Sequence, residues 1–489
     1  MKYDKEVSRR SFLAFLGSGA AALAVSATGL DPLIGTAEAA AAKLGMPSAL
    51  PFPALQITSA NQLTVANGYQ ADWLTSSSAS GGRYIGFWPG QTDNEGTLWV
   101  AHEGDDASSQ ARGASIYNIT RIDSKSKWSV SETRHISSQA RIAFTGPAKG
   151  SKALHNAKVT QGLWSNGSGG RTPWGTVFAG EQPLDSSASK AGVDPLSVGW
   201  MIEADPTDAG FAARKHTALG RFAHGDATAV LTRDRKIAVY LGSDRALFKF
   251  ISAGKYDPLL GKANSALLEE GQLYAADFGS GRWLELTVKS VRAKLSNPAF
   301  RMPNGVDLLR EDLLKMLQSE ADVLAYAQET ALVIGATPLD RPIGLAIHPA
   351  DGTLFIAQSG NADSGNSFGS ILRLVESGHD ASADVFESDL TLAGGRQAGF
   401  SSPDGAAFDS AGRLWLASRI PSERLNSGAY AAFGNNGLYA LTASGESFAK
   451  SDPFAIAPVK GALSAPAFGP EGTLFAAIAG SGVVAIRKV

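Results

Sequence analysis

The chain has no cysteine in its 489 residues. No disulfide can brace the fold, and any metal must be held by oxygen or imidazole rather than thiolate. Such ligands favour calcium, magnesium, manganese or ferric iron over structural zinc. A charge excess is also missing: 44 Lys and Arg stand against 46 Asp and Glu, a formal net charge of −2. With no basic excess, neither nucleic acid nor an anionic membrane surface is expected as a partner. The apolar stretch near the start, Phe12 to about Gly29, is short and broken by glycine, which argues against a spanning helix. The chain has no phosphate-binding Gly-Lys-Ser loop and no His-Glu-x-x-His helix. Gly167-Ser168-Gly169 lacks the spacing of a nucleophile elbow.

The start of the chain does carry adjacent arginines, in Ser8-Arg9-Arg10-Ser11-Phe12-Leu13, before that weakly apolar stretch. Ala37-Glu38-Ala39 then suits a signal peptidase. Residues 1–39 read as a twin-arginine signal peptide, with an uncleaved anchor as the alternative. The twin-arginine translocase, a partner during export, carries proteins already folded, often with a metal or cofactor loaded. The expected destination is the periplasm or the medium, with no stable membrane insertion after cleavage. Residues 1–39 hold four basic and four acidic residues, so the mature chain keeps the net charge of −2. Residues 40–66 read as a polar, flexible leader, and 67–489 as the folded domain, expected to be a monomer. Ser76 to Gly82 reads as a loop.

A short pattern recurs: glycine, any residue, an aliphatic, an aromatic, an apolar residue and alanine. It appears, with variations, as Gly96–Ala101, Gly175–Ala179, Lys236–Tyr240, Gly271–Ala276, Gly352–Ala357, Gly412–Ala417 and Gly472–Ala477. The last three glycines are 60 residues apart. A companion segment precedes each of these three: Pro342–His348, Pro403–Asp409 and Ala465–Gly469. Each pair reads as a strand, a tight Asp/Gly turn and a second strand, both too apolar for a sheet with one wet face. Repeated antiparallel units of this size point to an all-β β-propeller of six or seven blades. An all-β sandwich is the competing architecture. Between Val306 and about Gly335, leucines recur at helical spacing among polar residues, predicting one or two inserted helices.

Propellers carry their functional groups around one mouth of the central channel. Charged residues beside the strand repeats are therefore the candidates. Glu103 and Glu181 each follow a repeat by two residues, and Glu203 follows the apolar Gly199–Ile202. His224 and Asp226 lie in Arg221–Asp226, Asp404 and Asp409 flank one companion strand, and Arg341 precedes another. Carboxylates gathered at one mouth would need a cation among them, and an arginine fork suits a tetrahedral oxyanion. Taken singly, each carboxylate reads more readily as a turn or solvent residue than as a ligand. His102 reads as a packing residue.

Taken in order, several segments resemble the PhoX family of exported alkaline phosphatases. They include Thr97–Glu103, Gly146–Gly150, Thr172-Pro-Trp-Gly-Thr176, Gly199–Glu203, Gly335–Pro342, Phe368–Arg373, Ser402–Gly405 and Gly412–Trp415. The resemblance runs from about Gly68 to Ala417 and implies a six-bladed propeller that hydrolyses phosphate monoesters at calcium and ferric iron. It implies Glu103, Glu181, Asp404 and Asp409 as metal ligands or their support, with Asp226 a partial substitute. Arg341 would contact phosphate as the catalytic and substrate-binding arginine, Thr172 and Trp174 would line the site, and Glu203 would be structural. Three positions depart from the family. Gly167 stands where the family has cysteine, Gly225 where it has a glutamate after histidine, and Ile343 where it has a glutamate after proline. These losses weaken the case for iron. They leave three readings: a phosphatase with fewer metals, an anion- or envelope-binding propeller without catalysis, and a calcium-assisted lactonase.

Overall fold

The computed structural model describes residues 50–76, 82–102, 112–164, 166–183, 192–444 and 447–489. Among these, six sheets of four to six strands form the blades of a propeller. Their innermost strands are Ile85–Pro89, Asn166–Arg171, His224–Leu231, Pro342–Ile347, Pro403–Phe408 and Ala467–Phe468. They define blades one to six, and neighbouring inner strands pack together around the channel.

The repeat seen in the sequence is the second strand of every blade. Leu354–Gln358, Leu414–Ser418 and Leu474–Ile478 are buried at every residue, because neighbouring blades cover both faces. The copy at Gly271 makes no seventh blade: Gly271–Asp277 is the fourth strand of blade three. The tight turns also have a physical cause. Gly352, Gly412 and Gly472 all sit at positive φ (75°, 78° and 73°), where glycine carries no Cβ penalty. The Asp409 carboxylate accepts from the Ala411 and Arg413 amides at 3.0 and 2.9 Å, fixing one such turn.

The N-terminal segment behaves differently from the flexible leader expected over 40–66. Residues 50–63 form no regular strand and are mostly exposed, but single apolar side chains anchor them. Phe52 is buried against Trp415 and Phe454, with ring centroids at 5.8 and 4.8 Å. Thr64–Val65 adds an outer strand to blade five, and Tyr69–Ser76 pairs with the C-terminal strand Gly482–Lys488 in blade six. The ring is thus closed twice by the same short segment. The apolar residues Phe52, Leu55 and Val65 explain why: they cover blade edges that would otherwise meet water.

Four helices join blades three and four: α1 Val288–Leu295, α2 Arg310–Met316, α3 Glu320–Ala325 and α4 Ala327–Ile334. Three fall in the predicted window, and α1 precedes it. Thr287 and Ser319 form capping boxes, and Gly335 ends α4 at φ 109°. Their leucines and valines bury against Phe248, Phe250 and Leu273 of blade three. No helix among the described residues is long and apolar enough to cross a membrane.

Candidate functional site in the channel mouth

Every inner strand with a full companion segment starts at the same mouth of the channel. Three successive ones carry a β-bulge there. The extra residue falls at Gly225 and Asp226 in blade three, at Ile343 in blade four and at Asp404 in blade five. A bulge interrupts the strict alternation of a strand, so the side chains on either side of it no longer follow one face. The residue just before two of these strands is left-handed: Arg341 at φ 60° and Ser402 at φ 50°. Non-glycine residues rarely adopt this conformation, and it recurs at functional sites. The Arg341 carbonyl accepts from the Ile343 and Ser359 amides at 2.9 and 3.0 Å, which holds the backbone there.

The mouth opens into a cavity of about 890 Å³. Arg83, Arg245, Arg341, Arg419 and Arg424 line it, against the acids Asp244, Asp340 and Glu423. Serine and asparagine supply much of the remaining wall. At its floor Asp404 is buried. Its carboxylate accepts from Arg419 Nε at 2.7 Å and Ser359 Oγ at 3.2 Å, and pairs with Arg83 Nε at 3.0 Å. Burial would raise this carboxyl, but the guanidinium groups of Arg83, Arg419 and Arg341 hold it below its usual range. Arg341 is half exposed, with Nε 3.9 Å from Asp244.

Asp226 lies deeper, between inner strands. Oδ1 accepts from the Gly169 amide at 3.4 Å, and the Leu345 amide also bonds the carboxylate. Burial, with the charge of Asp404, pushes its carboxyl up to about 8. His224 is buried beside it, with Nε2 3.2 Å from the Gly220 carbonyl, and burial pushes its imidazole down to about 3. His102 is likewise pushed down by burial, to about 4, and bonds Ser115 Oγ at 2.7 Å. Both imidazoles are neutral packing groups.

The remaining candidates lie elsewhere. Glu181 is fully buried inside blade two. Its oxygens accept from Lys215 Nζ at 2.9 and 2.8 Å and from the Trp164 and Trp200 amides at 3.0 and 3.4 Å. Its charge is balanced by lysine, so the expected metal role finds no support in its surroundings. Asp409 ends the inner strand that Asp404 begins, about 16 Å away at strand rise, and bonds Arg413 and Trp415 instead. Thr172 and Trp174 form the turn at the opposite end of blade two's inner strand from the mouth. Thr172 Oγ1 bonds Thr176 Oγ1 at 2.7 Å, and Trp174 Nε1 donates to Glu203 at 2.6 Å. Neither lines the cavity, because antiparallel strands return the chain to the mouth only at Gln182. Glu203 sits in a buried network with His216, Thr176 and Ser265, in line with the structural part expected of it. Glu103 lies outside the described residues.

Arg83, Arg245, Arg419 and Arg424 were not among the sequence candidates. One signal pointed to Arg419. It follows its repeat's final alanine by two residues, as Glu103 and Glu181 do theirs. The letters Gly365-Asn-Ser-Phe-Gly369 spell a nucleophile elbow, but they lie between the antiparallel strands Leu354–Gln358 and Ser370–Glu376, not at a strand-to-helix turn.

An iron–calcium cluster does not fit the described donors. Asp404 is held by arginine and Glu181 by lysine, and Gly167, Gly225 and Ile343 supply no ligand atom from their side chains. Among the described residues no three His, Asp or Glu side chains are grouped to hold a metal ion.

Fold and site together define a six-bladed propeller with an arginine-walled channel mouth, a suitable receptor for a small oxyanion. The chain belongs to the PhoX alkaline phosphatase family, whose description matches residues 84–482. The structure of Pseudomonas fluorescens PhoX in complex with vanadate, a transition-state analogue, aligns with a TM-score of 0.74 at 22% identity. That alignment covers 90% of this chain and 98% of the other. A Trichoderma reesei carbohydrate-active enzyme of family AA12 aligns with a TM-score of 0.40 at 12% identity, over 89% and 100% of the two chains. No curated protein matches the chain.

Proposed function

We propose that this chain is an exported phosphatase that takes phosphate monoesters at the arginine-walled mouth. Family membership supports the reaction class, and the observation that carries the reading is Arg341, held at φ 60° on the cavity wall among four other arginines. Phosphoryl transfer spreads negative charge over three oxygens, and fixed guanidinium groups neutralise it without reorganising. The chain's own residues therefore bind, orient and neutralise the dianion. The 890 Å³ cavity leaves room for a polar alcohol portion of the ester. The twin-arginine leader supports export to the periplasm or medium.

Hydrolysis of p-nitrophenyl phosphate by the mature protein, with added calcium and with chelator, tests the reading. Turnover is expected, with Arg341→Gln lowering kcat/KM at least tenfold. A second reading, oxyanion binding without catalysis, is favoured by the loss of donors at Gly225 and Ile343. Negligible turnover in both conditions, with phosphate still bound, would establish it over the first.

A further inference from the structure

Two of the three bulge positions at the mouth are closed to any ion. A Cβ on Gly225 would stand 2.7 Å from the Ile343 carbonyl oxygen and 2.9 Å from its Cα. The inner strands of blades three and four are therefore pressed together where the family pattern carries two carboxylates. Ile343 is itself buried. Asp226 of the blade-three bulge lies deeper between inner strands, whereas Asp404 in the third bulge faces arginines from two other segments. Arg83 precedes the inner strand of blade one, and Arg419 follows the second strand of blade five. Arg419 donates to Asp404 Oδ2 through Nε at 2.7 Å, and Arg83 Nε forms an ion pair with the same oxygen at 3.0 Å. The Arg419 guanidinium, hydrogen-bonded at Nε, has its plane fixed against Asp404. Both residues line the cavity, as does Arg341, whose charge reaches Asp404.

We infer that the mouth binds a phosphoryl dianion through a metal-independent guanidinium clamp of Arg83, Arg341 and Arg419, with Asp404 as the residue that positions it. Three guanidinium groups around Asp404, with Asp244 3.9 Å from Arg341, leave a net positive charge at the mouth that favours an anion such as a phosphate monoester or inorganic phosphate. In this chain the clamp supplies the positive charge that a cation would otherwise bring to the phosphate oxygens. The inference rests on the proposed phosphate-ester reading but concerns binding, which is measured apart from turnover.

Calorimetric titration with inorganic phosphate, on mature protein stripped by chelator and checked by elemental analysis, tests it. Stripped and calcium-loaded protein are expected to bind phosphate with affinities within about twofold. Arg419→Lys, which keeps the charge but loses the fork, is expected to weaken binding at least tenfold. Asp404→Asn removes a negative charge from beneath the anion, so a purely electrostatic role predicts tighter binding. A positioning role predicts weaker binding. Arg341→Gln, at a half-exposed side chain, serves as the variant that leaves the fold intact, and weaker binding is again expected. Phosphate binding that disappears on chelation and returns with calcium would overturn the clamp, as would tighter binding by folded Asp404→Asn. If turnover is absent while the stripped protein binds phosphate, the phosphatase reading fails and the clamp stands.

Discussion

The contact between Glu181 and Lys215 shows how an acid suggestive of catalysis can be a framework residue. Both side chains are fully buried, and burial pushes Glu181 up and Lys215 down from their ordinary values. The pair persists because Ser197 and two amides satisfy the remaining polar atoms. Glu181→Gln leaves an unbalanced ammonium and is expected to cost roughly 3–5 kcal/mol, read as a lower melting temperature. Adding Lys215→Met to that variant should restore most of the loss. Asp226 makes a pH prediction. Its carboxyl sits at about 8 when folded, against 3.8 ordinarily, so the folded state binds the proton more tightly. Its contribution to stability is present below pH 4 and is lost as pH rises towards 8, at up to about 1.4 kcal/mol per pH unit. Denaturant unfolding across this range should show that slope, and Asp226→Asn should flatten it.

Among the elements, the inner strand governs the mouth. Its bulges interrupt the strand's alternation, at Asp404 among others, and its glycines let neighbouring strands approach. Gly225→Ala is expected to destabilise by about 1–3 kcal/mol, because the new methyl meets the backbone of Ile343, which has little room to yield. Unfolding midpoints in urea would measure it. The second strands were legible as a repeated pattern, since burial on both faces selects apolar residues at every position. The bulges were not. One extra residue per strand leaves no compositional mark, so the sequence does not show that Asp404 meets Arg83 and Arg419 while Asp409, at the other end of the strand, stays in its turn. Over residues 50–66 a few apolar anchors such as Phe52 pin a mostly polar segment to a preformed edge.

At the scale of the molecule, closure of the ring is the stability question. Residues 69–76 and 482–488 join the two ends of the described chain, and Arg487 Nε donates to Asp72 at 2.9 Å across the joint. Truncation after Ser481 exposes the second strand of blade six and is expected to abolish cooperative unfolding, as seen by circular dichroism during heating. Starting the chain at Gly68 removes only the strap on blade five. It should lower the melting temperature while keeping the propeller's far-ultraviolet spectrum. A large difference between the two truncations would show that one joint carries closure. Equal effects would show that closure is shared.

Local pattern by itself determined the blades, their tight glycine turns, the helical insertion and the absence of thiolate ligands. These depend on neighbours within a few residues, where strand period, helical period and φ preference act directly. Only the tertiary structure decided which charges meet. Arg83, Arg341, Asp404 and Arg419 come from three blades and are brought together by the rotation of one blade against the next. The same packing turned Glu181 towards a lysine and left Thr172 and Trp174 at the other end of their blade. Side-chain chemistry is written residue by residue, but the electrostatics of a pocket arises from distances between segments far apart in the chain, and core packing sets those distances.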